Sequence, residues 1–496
     1  MGVPEKLAVV MIHGMGEQQP MQTLRGFVSS LWTADKSVLD TTAYGEGAGT
    51  VWSKPDTRTG SLELRRMTTR PSRASTLYPD GVRCDFYEFY WADLTESTTR
   101  KQLEDWLGVL MLRGPRRVPS RVFPVWLVLW ALAALVALDL TGLIFRIPYL
   151  TSFLEIDARP NFLLGMLLKY TQGIPVYLLA GFLLLIGWVT KTFLVPYFGD
   201  VARYTRPLPD NISIRRDIRA RGLELLRRLH DEPYYDRVII AAHSLGSVIA
   251  YDLVSYLWSE RLDTVTFSAG DPALAALRGV EKLGAAIREK GAAATEAQRT
   301  AYRAAQADFR TELSAMTMPG GTGAPQPAPW LISDLVTFGS PLTHAEFLLA
   351  YDLAELQKRE REREIPVCPP DTETADAAAC LLLKPGEPAE LVSYVTGDPA
   401  AGKWKVHHAA AFGAVRWTNL YDPAKAILLG DIVGGPLADV FGFGIEDIPV
   451  TIRAHGRLPW SRIFTHTKYW TDYGAPDAPS PHITALRKAV DLLGEK

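Results

Sequence analysis

Short apolar runs and longer stretches of helical period alternate along this chain, the order imposed by parallel strands joined through crossover helices. The run Leu7–Ile12 predicts a first strand and Val82–Trp91 a second, with a polar stretch rich in Thr, Gly and Arg between them from Asp40 to Ser75. From Asn211 to His230, Ile214, Ile218, Leu225 and Leu229 recur at helical spacing, and Arg215, Arg216, Arg219, Arg227 and Arg228 fill the polar side. That arginine face has two readings, a solvated surface or a contact with anionic headgroups. The helix leads into an apolar strand at Val238–Ala242, and a second helical pattern restarts at Ser247. Ala273–Met316 is Ala-rich and highly charged, and it predicts a helical surface insertion over about 273–330. Leu331–Phe338 resumes the sheet, and an irregular insertion at about 365–402 precedes a strand at Ala414–Leu420. A further strand at Val450–Ala454 and a closing amphipathic helix, Pro481–Leu493, complete the pattern. No internal repeat is visible.

Two stretches depart from this alternation. Val122–Phe145 carries a single charge, Asp139, and Tyr170–Thr190 carries none. Each is long enough to cross a bilayer as a helix. Asp139 lies past the middle of its segment, where the insertion penalty falls below the roughly 2.5–3.5 kcal/mol expected at the centre. The alternative is a pair of buried helices or an apolar cap. The expected organisation is therefore a first part of an α/β domain at 1–120, a transmembrane helical hairpin at 121–197, and the remainder of the α/β domain at 198–496. Because α/β segments flank the hairpin, both its ends return to one side. Arg113, Arg116, Arg117 and Arg121 precede it, and Lys191, Arg203 and Arg206 follow it. Only Arg146, Arg159 and Lys169 lie between the spans. This bias predicts a multi-pass protein of the bacterial inner-membrane type, with the α/β part in the cytoplasm. The start, Met-Gly-Val-Pro-Glu-Lys, runs directly into the first strand without the pattern of a signal peptide.

Composition narrows the function classes. Apolar residues at 47% and charged residues at 22% are the proportions of a folded protein with a large core. The formal charge of -2, from 53 basic and 55 acidic residues, supplies no broad positive field for a phosphate backbone, so no nucleic-acid partner is expected. Cys84, Cys368 and Cys380 are too scattered for a disulfide framework or a zinc site, and are read as free thiols in a reducing compartment, with a Cys368–Cys380 bridge as the alternative.

The most informative segment is Val238-Ile239-Ile240-Ala241-Ala242-His243-Ser244-Leu245-Gly246-Ser247, an apolar strand that stops at a serine between small residues and restarts as a helix. A serine on so sharp a strand-to-helix turn presents its hydroxyl above the sheet, and Ala242 and Gly246 leave room for the strained backbone. Ser244 is thus the candidate nucleophile. A serine hydroxyl needs a base, a group to orient the base, and donors for an oxyanion. The first strand ends in His13-Gly14-Met15-Gly16, a turn that can bring the Met15 N–H beside the elbow, with the Leu245 N–H as its partner. His13 and His243 are read as packing residues. His466, in Phe464-Thr465-His466-Thr467-Lys468-Tyr469-Trp470, is the candidate base, and His455 is the reserve. Asp422 stands just past the strand Ala414–Leu420, where an orienting carboxylate belongs, with Asp431 and Asp447 as fallbacks. The pair His407-His408 lacks further ligands at metal spacing, so no metal is expected.

With these pieces assembled, the chain resembles the α/β-hydrolase superfamily and, within it, the lipase-like serine hydrolases. The resemblance lies in His13-Gly14-Met15-Gly16-Glu17-Gln18, the elbow at Ala242–Gly246, Thr337-Phe338-Gly339-Ser340-Pro341, Trp417-Thr418-Asn419-Leu420-Tyr421-Asp422, and His466-Thr467-Lys468-Tyr469-Trp470. It implies an eight-stranded type of sheet wrapped by helices, a Ser-His-Asp triad and no cofactor. Ala242 replaces the commoner glycine of the elbow. Lys425 stands where relatives often carry a second aspartate, three residues after the Tyr-Asp pair. The expected activity is hydrolysis of a lipid or other acyl ester at a membrane. The alternative is a catalytically degenerate hydrolase serving as a membrane-anchored binding or signalling module.

Overall fold

The protein, described here as a computed structural model, is α/β, with one large and mostly parallel sheet flanked by helices. The description covers all residues except 1–2, 16–18, 61–62, 96–111, 113, 116–117, 119–122, 147–177, 179–180, 185–203, 206–208, 233, 317–329, 424–428, 432, 454–461, 463–464, 476–477 and 496. Gly16, Glu17, Gln18, Lys425, His455 and most of the second apolar stretch, Tyr170–Thr190, therefore lie outside the described residues. The chain forms two compact units, Met1–Leu94 with Ile212–Lys496, and Thr95–Asn211.

In the larger unit the sheet strands are β1 (Glu5–Ile12), β2 (Val51–Pro55), β3 (Arg65–Pro71), β4 (Val82–Phe89), β5 (Arg237–His243), β6 (Ile332–Phe338), β7 (Arg416–Tyr421) and β8 (Glu446–Pro449). Their order is β8-β7-β6-β5-β1-β4-β3-β2. All neighbours from β8 through β4 pair in parallel, and β3 and β2 add an antiparallel edge. The central strands read as continuous apolar runs because helices cover both faces, leaving no solvent side to demand polar alternation. Leu7–Ile12 and Val238–Ala242 are accordingly buried along their whole length.

On one face, helix α1 (Gln22–Val28) and the closing helix, Pro481–Val490, share a core with Val9, Met11, Ile239, Ala241, Val336 and Phe338. Alternate residues of the same strands point to the other face. The elbow helix, Leu245–Leu262, runs there against β1, β5 and β6. Helix Pro209–Asp231 packs on it so closely that a Cβ at Gly222 would lie 2.5 Å from Leu253 Cδ1. Three adjacent strands are tied together by a buried carboxylate: Asp334 on β6 accepts from Arg237 on β5 at 2.7 Å and from Arg416 on β7 at 2.8 Å.

Several expectations change in the folded chain. The polar stretch after Asp40 supplies β2 and β3; β2 is the exposed edge and carries Lys54, while Thr68 and Thr69 of β3 are buried. The last strand is Glu446–Pro449 and stops before Val450, because register opposite Thr418–Tyr421 uses up the pairing length of β7. The helical insertion is two helices, Pro272–Lys290 and Glu296–Ala315. It is part of the body of the unit as well as its surface. Tyr302, Phe309 and Leu313 are fully buried, and Gln306 donates to the carbonyls of Phe412 and Val415. The arginine face of Pro209–Asp231 is engaged in ion pairs: Arg219 with Asp252 at 2.6 Å, Arg227 with Glu260 at 2.6 Å, and Arg228 with Glu224 at 2.8 Å. Those carboxylates compete with any external anion. Cys84, Cys368 and Cys380 are free thiols.

In the smaller unit, Phe123–Arg146 is an unbroken 24-residue helix with Asp139 and Arg146 as its only charged residues. At about 1.5 Å per residue it is roughly 36 Å long. Leu127, Trp130, Leu132, Leu135 and Leu140 on it are exposed, each at 40% or more. Among the described residues, no helix is long and apolar enough to cross a membrane.

Candidate active site

The strands β1, β5, β6 and β7 are neighbours in the parallel part of the sheet, so their carboxyl ends lie side by side, the part of a parallel sheet where ligands generally bind. β5 ends at His243, and Ser244 sits between strand and helix at φ 51 and ψ -129, a left-handed conformation rare for a residue with a side chain. Three contacts hold it there. The Ser244 N–H donates to the Phe338 carbonyl at 3.1 Å, the Ser247 N–H returns to the Ser244 carbonyl at 2.9 Å, and Ser247 Oγ also donates to that carbonyl. Close approach of the β1 turn requires the small residue after the elbow. A Cβ on Gly246 would lie 2.4 Å from the His13 carbonyl oxygen and 2.5 Å from that of Ile12.

His466 Nε2 stands 2.8 Å from Ser244 Oγ, and both residues are buried, at 3% and 1% exposure. On the far edge of the ring, His466 Nδ1 lies 3.0 Å from each oxygen of Asp431. The acid was expected at Asp422, and the structure corrects this. Asp422 is buried just past β7, but its carboxylate accepts from Arg462 Nη2 at 2.6 Å, from Thr465 Oγ1 at 2.8 Å and from the Ile452 N–H at 3.4 Å. The reason is a loop that closes on itself. The Asp431 N–H donates to the Asp422 carbonyl at 3.1 Å, and Pro423 and Asp431 form a bridge, so a residue remote in sequence comes to lie beside Asp422. Asp447, the other fallback, accepts from Asn419 Nδ2 at 2.7 Å and from the N–H groups of Leu437 and Ala438, away from His466.

Asp431 is set up to remain an anion. Burial alone would raise its pKa, but His466, the Tyr469 hydroxyl at 2.7 Å and the Val433 N–H at 2.9 Å outweigh it and hold the carboxyl well below the usual carboxylate range. Asp422 goes the other way: burial raises its pKa despite Thr465 and Arg462. Gly339, at φ +58, is required beside this pair, since a Cβ there would lie 2.9 Å from Tyr469, 3.0 Å from Asp431 Oδ2 and 3.1 Å from His466 Nδ1.

The turn after β1 lies against the elbow. A Cβ on Gly14 would meet Ser244 Cβ at 2.9 Å, and Met15 is the next residue of this turn. Leu245 opens the elbow helix, a position whose N–H has no carbonyl of a preceding turn to serve. His13 and His243 bond to other groups, and the imidazole on Ser244 Oγ is that of His466. The His13 ring stacks on Trp91 at 5.1 Å and 7°, its Nε2 accepts from the Trp91 N–H, and burial lowers its pKa to about 4. His243 donates from Nε2 to the His466 carbonyl at 2.7 Å, and burial lowers its pKa to about 3, which keeps it neutral. It therefore braces the backbone of His466, a role its place next to the serine did not disclose. Tyr469, three residues after His466, is the other participant that sequence reasoning passed over. Its only signal was a tyrosine in the same short block as the histidine.

No protein-family model, curated protein or solved structure matches this chain.

Proposed function

We propose that this protein is a membrane-associated serine hydrolase of the α/β-hydrolase fold that cleaves carboxylic esters, with a lipid ester as the substrate class. The observation that carries the reading is the line Asp431–His466–Ser244, with contacts of 3.0 and 2.8 Å, built on a left-handed serine at the end of a central parallel strand. Convergence of nucleophile, base and orienting carboxylate from three separate loops is the arrangement nucleophilic acyl transfer needs.

Each group then has a task. With Nδ1–H held by Asp431, His466 Nε2 carries the lone pair and takes the proton as Ser244 Oγ attacks the ester carbon. The carbonyl oxygen becomes an oxyanion facing the Met15 and Leu245 N–H groups, and each such donor is typically worth roughly 2.7–4 kcal/mol in the transition state. Collapse of the tetrahedral species expels the alkoxide, which takes the proton from His466 and leaves an acyl-Ser244 ester. Water, deprotonated by the same imidazole, attacks that ester; the second tetrahedral species collapses with cleavage of the acyl–Oγ bond, His466 returns the proton to Ser244 Oγ, and the carboxylic acid leaves. The chain asks for no cofactor in any step. The lipid class is supported by the exposed leucines and tryptophan of Phe123–Arg146, whose apolar surface water would penalise.

The test is covalent labelling of the full-length protein in detergent with a small fluorophosphonate probe. Wild type is expected to label at a single serine and Ser244→Ala to lose that label. Absence of labelling in wild type, or undiminished labelling of Ser244→Ala, refutes the hydrolase and leaves the degenerate binding module.

A further inference from the structure

Asp422 stands next to the proposed catalytic line without touching the imidazole. Its main chain and side chain both reach residues that border that line. Its carbonyl takes the Asp431 N–H at 3.1 Å, and its own N–H donates to the Tyr469 hydroxyl at 3.0 Å, which in turn donates to Asp431 Oδ2 at 2.7 Å. A hydroxyl has one proton to give, so accepting from Asp422 fixes the direction in which Tyr469 donates. The carboxylate of Asp422 then grips the histidine loop. Oδ2 accepts from Thr465 Oγ1, on the residue immediately before His466, and Oδ1 accepts from Arg462 Nη2 three residues further back. On the other side of the base, the His466 carbonyl is taken by His243.

We infer that Asp422 is a positioning residue: it holds the His466 loop through Thr465 and Arg462 while its backbone fixes Asp431 and Tyr469, so that base and acid are located by one anchor. The inference rests on the hydrolase reading. The Asp422 pair with Arg462 is charge-assisted, and the carboxylate is fully buried, so the loop has a stiff attachment one residue from the base. A misplacement near 1 Å at a reacting group costs on the order of 100-fold in rate, and hydrogen-bond reach from Nε2 to Oγ tolerates less.

The experiment compares full-length Asp422→Asn, Thr465→Val and the double variant in ester hydrolysis, each checked for folding by thermal melting. Thr465→Val removes the contact next to the base while keeping the Asp422–Arg462 pair, so it serves if Asp422→Asn does not fold. The expected result is a fall in kcat of about 10- to 100-fold for each single variant, with KM within a factor of about two and the low-pH limb of the rate profile unmoved. The double variant should lose less than the product of the two single losses, because both substitutions loosen the same attachment of the His466 loop to residue 422. Wild-type kcat in Thr465→Val or Asp422→Asn overturns the inference while leaving the hydrolase intact. A loss in Asp422→Asn that moves the low-pH limb overturns it too, because Asp422 would then act on the imidazole itself. An inactive, unlabelled wild type instead brings down the hydrolase reading on its own.

Discussion

Asp431→Asn is the sharpest probe of the proposed mechanism, because the amide keeps the shape of the carboxylate while removing its charge and changing its hydrogen bonding. Each oxygen of Asp431 has a donor besides His466: Val433 N–H on Oδ1 at 2.9 Å, and Tyr469 O–H on Oδ2 at 2.7 Å. An amide nitrogen at the Oδ1 place would confront the Val433 N–H donor to donor. At the Oδ2 place it can be accommodated only if Tyr469 turns to accept from it, while that hydroxyl already accepts from the Asp422 N–H. Either way the amide can satisfy its own nitrogen by donating to His466 Nδ1, which moves the ring proton to Nε2, where it faces Ser244 as a donor and cannot serve as a base. In serine proteases with a Ser-His-Asp triad the corresponding change lowers kcat about 10⁴-fold. Because one amide oxygen remains within reach of Nδ1 here, the expected loss is about 10³- to 10⁴-fold, or about 4–5.4 kcal/mol at 1.36 kcal/mol per decade. The assay is steady-state ester hydrolysis with KM determined separately, alongside a thermal melt to show that the variant is folded. A folded Asp431→Asn protein with activity within tenfold of wild type would refute the assignment of Asp431.

Two further outcomes follow from burial and from the apolar helix. Burial lowers the pKa of His13, His230, His243 and His407 to about 4, 3, 3 and 3, so unfolding below pH 6.5 must take up protons at all of them. Glu88 and Glu360, raised by burial to about 7, release protons on unfolding between pH 4.5 and 7 and partly offset this. Net uptake means that unfolding free energy falls as pH drops from 6.5 to 5, by up to about 1.4 kcal/mol per pH unit for each net proton. Urea midpoints followed by tryptophan fluorescence at pH 7 and pH 5.5 check the sign, and a higher midpoint at pH 5.5 contradicts it. Full-length protein expressed in bacterial membranes should stay in the pellet after alkaline carbonate extraction, and quantitative release into the supernatant would remove the membrane hairpin.

Much of the site's outline was legible before any fold was known. The apolar run ending at Ser244 flanked by Ala242 and Gly246 announces an elbow because few other roles need a serine between small residues at a strand-to-helix turn. Chain order and a place ahead of the last helix point to His466. The same reasoning points to Asp422, since it follows a strand end where an acid belongs, and it does lie within the network, but through Thr465 and Arg462. The loop between the two aspartates hides the difference. Its closure uses backbone contacts, among them the Asp431 N–H on the Asp422 carbonyl and the Gly430 N–H on the Arg462 carbonyl, and backbone bonds leave no mark in side-chain pattern.

Local pattern settled what is local: the parallel strand runs, the elbow at Ser244, the turn at His13–Met15 and the apolar stretch that forms the helix Phe123–Arg146. These follow from periodicity and residue size, which act over a few neighbours. Which carboxylate meets the base, which histidine braces it, and how Asp40–Ser75 adds two edge strands were decided by tertiary structure. Such choices turn on distances of about 3 Å between residues far apart in the chain, set by loop closure and packing across the sheet, and pairing of that range is not encoded in any short window of sequence.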